Sequence, residues 1–215
     1  MKRRKTHYLY LALCLLAAFA LWTAAVCLVD VQAIGPQGSS VGLASLNRFF
    51  HGLTGVHMKL YALTDWLSLV PLAFVPGFAL LGVAQWIARK KLLKVDFSIL
   101  VLGGFYLLVM AAYLLFEVKT VNYRPVLIGG KLEASYPSST TMLVLCAIPT
   151  AIMQLNARIR NKTFRNFVAL VLSAFAVFMV AGRLISGVHW LTDIIGGVLL
   201  SAGLVMLYSF ISTRR

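Results

Sequence analysis

Charge of one sign is scarce in this 215-residue chain: it holds only 6 Asp and Glu against 20 Lys and Arg, and charged residues make up just 12% of it. An average soluble domain carries roughly 25% charged residues, so an ordinary water-soluble globule is excluded. Cysteine is also scarce. The three, Cys14, Cys27 and Cys146, are odd in number and all fall in apolar runs, which excludes a disulfide framework and reads as small buried residues. No repeat of 20 to 50 residues, low-complexity tract or domain linker is present, so neither a solenoid nor an appended soluble module is expected.

What fills the chain instead is hydrophobic residue, 60% of the total. A span needs about 20 mainly apolar residues to cross the hydrocarbon core. Six runs qualify: Tyr8 to Val29, Trp66 to Ala88, Phe97 to Phe116, Thr141 to Leu155, Phe167 to Met179 extended toward Leu184, and Leu191 to Ile211. The expected fold is an all-α, six-helix membrane bundle forming a single domain over residues 1–215. The first run starts like a secretory signal, but its apolar stretch is too long and lacks a small-residue cleavage site, so it reads as a retained anchor.

The formal charge of +14 is distributed by topology. Fourteen of the 20 basic residues sit before the first run, after the second, after the fourth and at the C-terminus. By the positive-inside rule both termini then face the cytoplasm, and the basic loops serve anionic headgroups rather than nucleic acid. The acceptor-like Asn161-Lys162-Thr163 falls in such a basic connection and is set aside as a glycosylation site. The expected location is a bacterial plasma membrane.

The other three connections then face outward. In the first, Leu46, Phe49, Phe50, Leu53, Val56 and Leu60 recur at spacings of three and four, the mark of an amphipathic helix lying at the interface. His51 and His57 ride on its polar face. The second connection, Glu117 to Ser139, holds prolines and glycines that rule out a continuous helix. The third is short and contains Gly182 to Gly197, "GRLISGVHWLTDIIGG".

Ionisable residues this close to a membrane are costly, and each becomes a functional candidate. Arg124, Arg183, His189 and Asp193 all map to the same ends of spans three to six. His189 and Asp193 lie four apart, one face of a helix, where a carboxylate can orient an imidazole. The Ser138 helix start offers N–H groups and a positive dipole end to an anion, and two arginines add phosphate-matching forks. Together these suggest phosphoryl transfer from a lipid phosphate, against a plainer reading in which they form structural ion pairs.

"YRP" at Tyr123 to Pro125, "YPSS" at Tyr136 to Ser139, and an Arg, His and Asp at 183, 189 and 193 resemble the three signature blocks of the type 2 phosphatidic acid phosphatase superfamily. The resemblance implies a six-helix bundle that hydrolyses lipid phosphates without metal or other cofactor, through a phosphohistidine. It implies His189 as nucleophile, Asp193 as its orienter, Arg124 and Arg183 as phosphate clamps, and Ser138 with the Ser139 backbone as cradle, all at the outer face. Two positions depart from the pattern. Glu117 stands where the first block has Lys, with Lys119 two residues nearer as a substitute. Thr140 stands where the second block has the His that protonates the leaving group, and a threonine hydroxyl cannot act as that acid. A leaving group able to depart as an anion evades the loss, so a lipid diphosphate, such as a polyprenyl diphosphate, is the expected substrate over a monoester. His51, His57 or Glu117 are alternative donors. The rival expectations are a phosphorylated-lipid binding or transport protein that has lost catalysis, and a phosphotransferase using an alcohol acceptor. The sequence leaves the oligomeric state open.

Overall fold

The computed structural model describes residues 2–212, so Arg214 and Arg215, used above for topology, lie outside the described residues. Eight helices follow one another: α1 (Lys2–Leu28), α2 (Ala44–Thr54), α3 (Met58–Leu67), α4 (Leu69–Arg89), α5 (Phe97–Val118), α6 (Ser139–Asn156), α7 (Lys162–Ile185) and α8 (Leu191–Ser212). Six segments are long and apolar enough to cross a membrane, with α3 and α4 together forming the second over Met58–Arg89. The chain is an all-helical multi-pass membrane bundle. Its second span starts eight residues earlier than the hydropathy suggests, because α3 runs into α4 with only Ser68 between them.

Burial sorts the spans into centre and periphery. The apolar windows of α6 and α8 are each 56% buried, against 22% or less for the other four. These two therefore form the spine and the others turn apolar surface outward, the pattern expected where lipid is the solvent. Small residues let the spine pack closely. A Cβ on Gly196 would lie 2.7 Å from the Tyr136 ring, and one on Gly203 would lie 2.8 Å from the Leu16 side chain of α1. Tyr136 is itself wedged between Phe19 and Phe116, with its hydroxyl 2.7 Å from Thr23 Oγ1.

The expected interfacial helix is limited to α2, and Leu60, at the end of its apolar pattern, belongs to α3 and so to the second span. Gly55 adopts φ 65° and ψ −157°, a backbone conformation that glycine carries without steric cost and that ends α2, and α3 starts after His57. The connection before α6 is a hairpin-like loop. Tyr123 bridges Ala134 in antiparallel fashion, and Ile128 and Lys131 pair across Gly129 and Gly130, both at positive φ. Two consecutive left-handed residues close such a turn, and glycine carries them without steric cost. The α2–α3 pair, this hairpin and the Ser186–Trp190 turn all sit at one end of the bundle. The basic connections sit at the other.

Candidate active site

Each site residue is held by a local rule of chain folding. Ser138 caps α6: its hydroxyl accepts from the Thr141 N–H at 3.4 Å. Asp193 lies in the first turn of α8, and its Oδ2 reaches back to accept from the Trp190 N–H at 2.9 Å. That is the return half of a capping box. The two helix starts are tied together, since the Ser138 N–H donates to the Asp193 carbonyl at 3.0 Å. Asn122 secures the other carboxylate oxygen: its amide donates to Asp193 Oδ1 and Thr192 Oγ1 at 3.4 Å each, while its own oxygen accepts from the Gly42 N–H.

The turn between α7 and α8 presents His189. Gly187 makes the turn possible, for it holds φ +68° and a Cβ there would lie 1.7 Å from the Gly55 carbonyl oxygen. Only glycine fits both the left-handed conformation and that contact. His189 is 3% exposed, so the membrane end of the bundle covers it almost completely. Its Nδ1 faces Asp193 Oδ2 at 3.6 Å, and its Nε2 faces Arg124 Nη1 at 3.0 Å. A guanidinium can only donate, so Nε2 accepts and carries the lone pair. The ring proton therefore belongs on Nδ1, toward the carboxylate. Burial pushes the imidazole down to about 4, with Asp193 opposing that shift and Arg124 adding to it.

Arg124 enters from the hairpin. Its backbone N–H donates to the Glu133 carbonyl at 3.0 Å, and its Nε lies 3.1 Å from Glu133 Oε2, an ion pair whose direction is too poor for a hydrogen bond. Arg183 enters from the last turn of α7 and is 2% exposed. A buried guanidinium needs partners, and it has them: Nη2 donates to Asp65 Oδ1 at 3.0 Å and also to Thr140 Oγ1, and Nη1 reaches Thr64 Oγ1 at 3.5 Å. Arg124 Nε, Arg183 Nε and His189 Nδ1 are buried without a hydrogen-bond partner. Buried donors left unsatisfied call for an explanation, and here three are gathered on the very residues that carry the motif.

The structure thus brings together Arg124, Arg183, His189, Asp193, Ser138 and Thr140. Ser139 opens α6 beside them. Lys119 and Glu117 make no described contact with Arg124, Arg183 or His189. Lys119 is exposed just beyond α5. Glu117, also exposed, lines a small cavity with Tyr136, Pro137 and Ser139. His51 Nε2 is 3.1 Å from the Gly187 carbonyl and its ring lies beside Trp190, whereas His57 is exposed and turned to the Thr54 carbonyl. Asn122, Glu133, Tyr61, Thr64 and Asp65 were not signalled by the motifs. The last three are spaced i, i+3, i+4, which marks a shared helix face.

A transmembrane PAP2-type phosphatidylglycerolphosphate phosphatase from Bacillus subtilis has a similar crystal structure, with a TM-score of 0.61 and 20% identity over 93% of this chain and 94% of that one. That likeness concerns the fold. No curated protein matches the sequence. The family model described as the PAP2 superfamily matches residues 104–215, just over half the chain and all of the segment that carries Arg124, Ser138, Arg183, His189 and Asp193. With the sequence match and the six-span fold in agreement, the chain belongs to the PAP2 superfamily.

Proposed function

We propose that this protein is a membrane lipid phosphatase that works through His189 and favours lipid diphosphates over monoesters. Membership of the superfamily supports a lipid phosphatase in general terms. The observation that carries the finer reading is the contrast at one site: a buried, oriented imidazole with its lone pair on Nε2 stands beside two guanidinium groups, while Thr140, which the motif resemblance aligns with the proton-donating His, offers only a hydroxyl held by Arg183.

In the proposed reaction the phosphate enters between Arg124 and Arg183, and Arg124 turns from Nε2 onto a phosphate oxygen. The freed Nε2 lone pair attacks phosphorus. The bond from phosphorus to the leaving oxygen breaks, its electron pair going with the leaving group. Asp193 stabilises the positive ring that forms, as a carboxylate does for an attacking histidine's Nδ1–H. Water then attacks the phosphohistidine, the phosphorus–nitrogen bond breaks, and inorganic phosphate leaves.

The diphosphate preference follows from the leaving group. An alcohol leaves as a strongly basic alkoxide and needs a proton. A lipid monophosphate, with a second pKa near about 6, departs as an anion without one. The lipid tail has a place to go. An apolar cavity of about 440 Å³ between α4, α5 and α6 is lined in part by Ser139 and Thr140, and a second of about 510 Å³ shares Val75, Tyr106 and Met110 with it. The distribution of basic loops supports an active site on the outer face of a plasma membrane with both termini cytoplasmic.

A rival reading, a non-catalytic lipid-phosphate binder, draws on the Arg124 contact that covers Nε2. Phosphate release from matched lipid mono- and diphosphates, in chelator and with His189→Ala as control, decides between them. The proposal expects diphosphate turnover that disappears in the variant. Binding without release from any substrate favours the binder, and release that persists without His189 refutes the nucleophile.

A further inference from the structure

Both arginines of the site lie near one aromatic ring. The Tyr61 centroid is 4.8 Å from Arg183 Cζ and 5.9 Å from Arg124 Cζ, within the range in which a cation is attracted to a ring face. The two guanidinium groups come from unrelated elements, the hairpin and α7, and their like charges repel. A ring with its negative face available to both opposes that repulsion and sets their separation.

Tyr61 belongs to α3, which lies outside the residues that the family model matches. The helix is docked on α7: a Cβ at Gly182 would lie 2.8 Å from Thr64 Cγ2, so the missing side chain lets the two helices close up. One face of α3 then delivers Tyr61, Thr64 and Asp65 to the same guanidinium.

We propose that Tyr61 is a positioning residue of the phosphate site, an aromatic platform that holds Arg124 and Arg183 as one paired clamp. This rests on the reading of the site as a phosphate site. It acts through the arginines and not on the reacting atoms, so its loss weakens phosphate capture more than the chemical step. The platform needs the ring and not the hydroxyl.

The test uses the full-length protein in detergent with Tyr61→Phe and Tyr61→Leu. Inorganic phosphate binding is measured by calorimetry, and KM and kcat are measured with a lipid diphosphate. Tyr61→Phe should match the parent within about twofold. Tyr61→Leu should weaken phosphate binding and raise KM by about tenfold, the scale of two cation–ring contacts, with kcat changed far less. If Leu at this position prevents folding, Tyr61→Met, which is also flexible and apolar but has no ring, takes its place. Parent-like phosphate binding in the ringless variant overturns the proposal, and so does an equal defect in Tyr61→Phe, which would assign the role to the hydroxyl. A parent protein that binds phosphate but hydrolyses nothing refutes the phosphatase reading while leaving the platform testable by binding. A parent that does neither refutes both.

Discussion

Replacing Thr140 with histidine restores a titratable group where the structure has only a hydroxyl. Thr140 is 7% exposed and accepts from Arg183 Nη2 on one side, while on the other it borders the 440 Å³ cavity, so an imidazole has room to turn toward the lipid. A positioned general acid is worth about 10²–10⁴ in rate where the leaving group needs a proton. Arg183 stands close by and disfavours a second cation there, which places the expected gain at the low end, about 100-fold for a lipid monoester. A diphosphate, whose leaving group departs unprotonated, should gain little. The measured quantity is therefore the ratio of diphosphate to monophosphate turnover for one lipid, which should fall about 100-fold in Thr140→His. The same substitution on a His189→Ala background should give no activity. An unchanged ratio in folded protein refutes the argument from leaving-group protonation. A parallel rise on both substrates refutes it too, since that would place the effect of Thr140 in binding or in the attack step.

The His189 ring, pushed down to about 4 by burial, stays neutral and nucleophilic as pH falls from 7 to 5, and is lost only as pH drops through that value. An imidazole NMR titration, with the signal assigned by its absence in His189→Ala, should show no protonation near 6.5; a midpoint there refutes the burial argument. Gly187→Ala forces a side chain into left-handed backbone and against the Gly55 carbonyl, and should cost about 2 kcal/mol or more in stability together with most of the activity. Gly77→Ala, where a Cβ meets nothing within 4 Å, should be harmless in the same thermal-melt and turnover assays. Asn122→Ala strands the Gly42 N–H and releases Asp193 Oδ1. Loss of that buried network should lower stability by about 1–3 kcal/mol in a thermal or denaturant melt, and a parent-like midpoint would show that Asn122 is not the clasp between the α1–α2 connection and α8.

Hydropathy and charge made the six spans legible because a membrane imposes one demand, a long apolar run, that composition alone reveals. The helix ends were less so. The early start of the second span depends on how α3 docks against α7, a tertiary contact with no local signal. The break at Gly55 had a local signal, but a lone glycine in an amphipathic pattern reads equally as a tolerated interior residue. Within the site, His189 and Asp193 were visible as a pair from their spacing, but they do not share a helix face as expected: His189 lies in the turn before α8, and Asp193 reaches back toward it from the first turn of that helix. The pairing of Arg183 with Asp65 was not visible, because the two lie 118 residues apart and meet only through the fold. Lys119 was suggested as a substitute cation by its closeness in sequence to the motif position; it caps the end of α5 and is exposed there.

Asp193, Asp65 and Glu133 are three of only six acidic residues in the chain, and all three face the site's basic groups. Their exposure divides them by role. The Asp193 side chain is fully buried, fixed by the Trp190 N–H that makes it part of the α8 cap, so it cannot leave without unravelling the first turn of that helix. The side chains of Asp65 and Glu133 are 57% and 40% exposed and occupy the outer sides of Arg183 and Arg124. Each pair joins a half-exposed carboxylate to a buried guanidinium, which needs a compensating partner, so the rim carboxylate can leave only as another anion takes its place. In the proposed reaction an incoming phosphate, with about two negative charges near neutral pH, displaces them and takes both guanidinium groups together. The resting pairs thus keep two buried arginines compensated until an anion of greater charge arrives. The one carboxylate that substrate cannot displace is the one the proposed chemistry requires to stay.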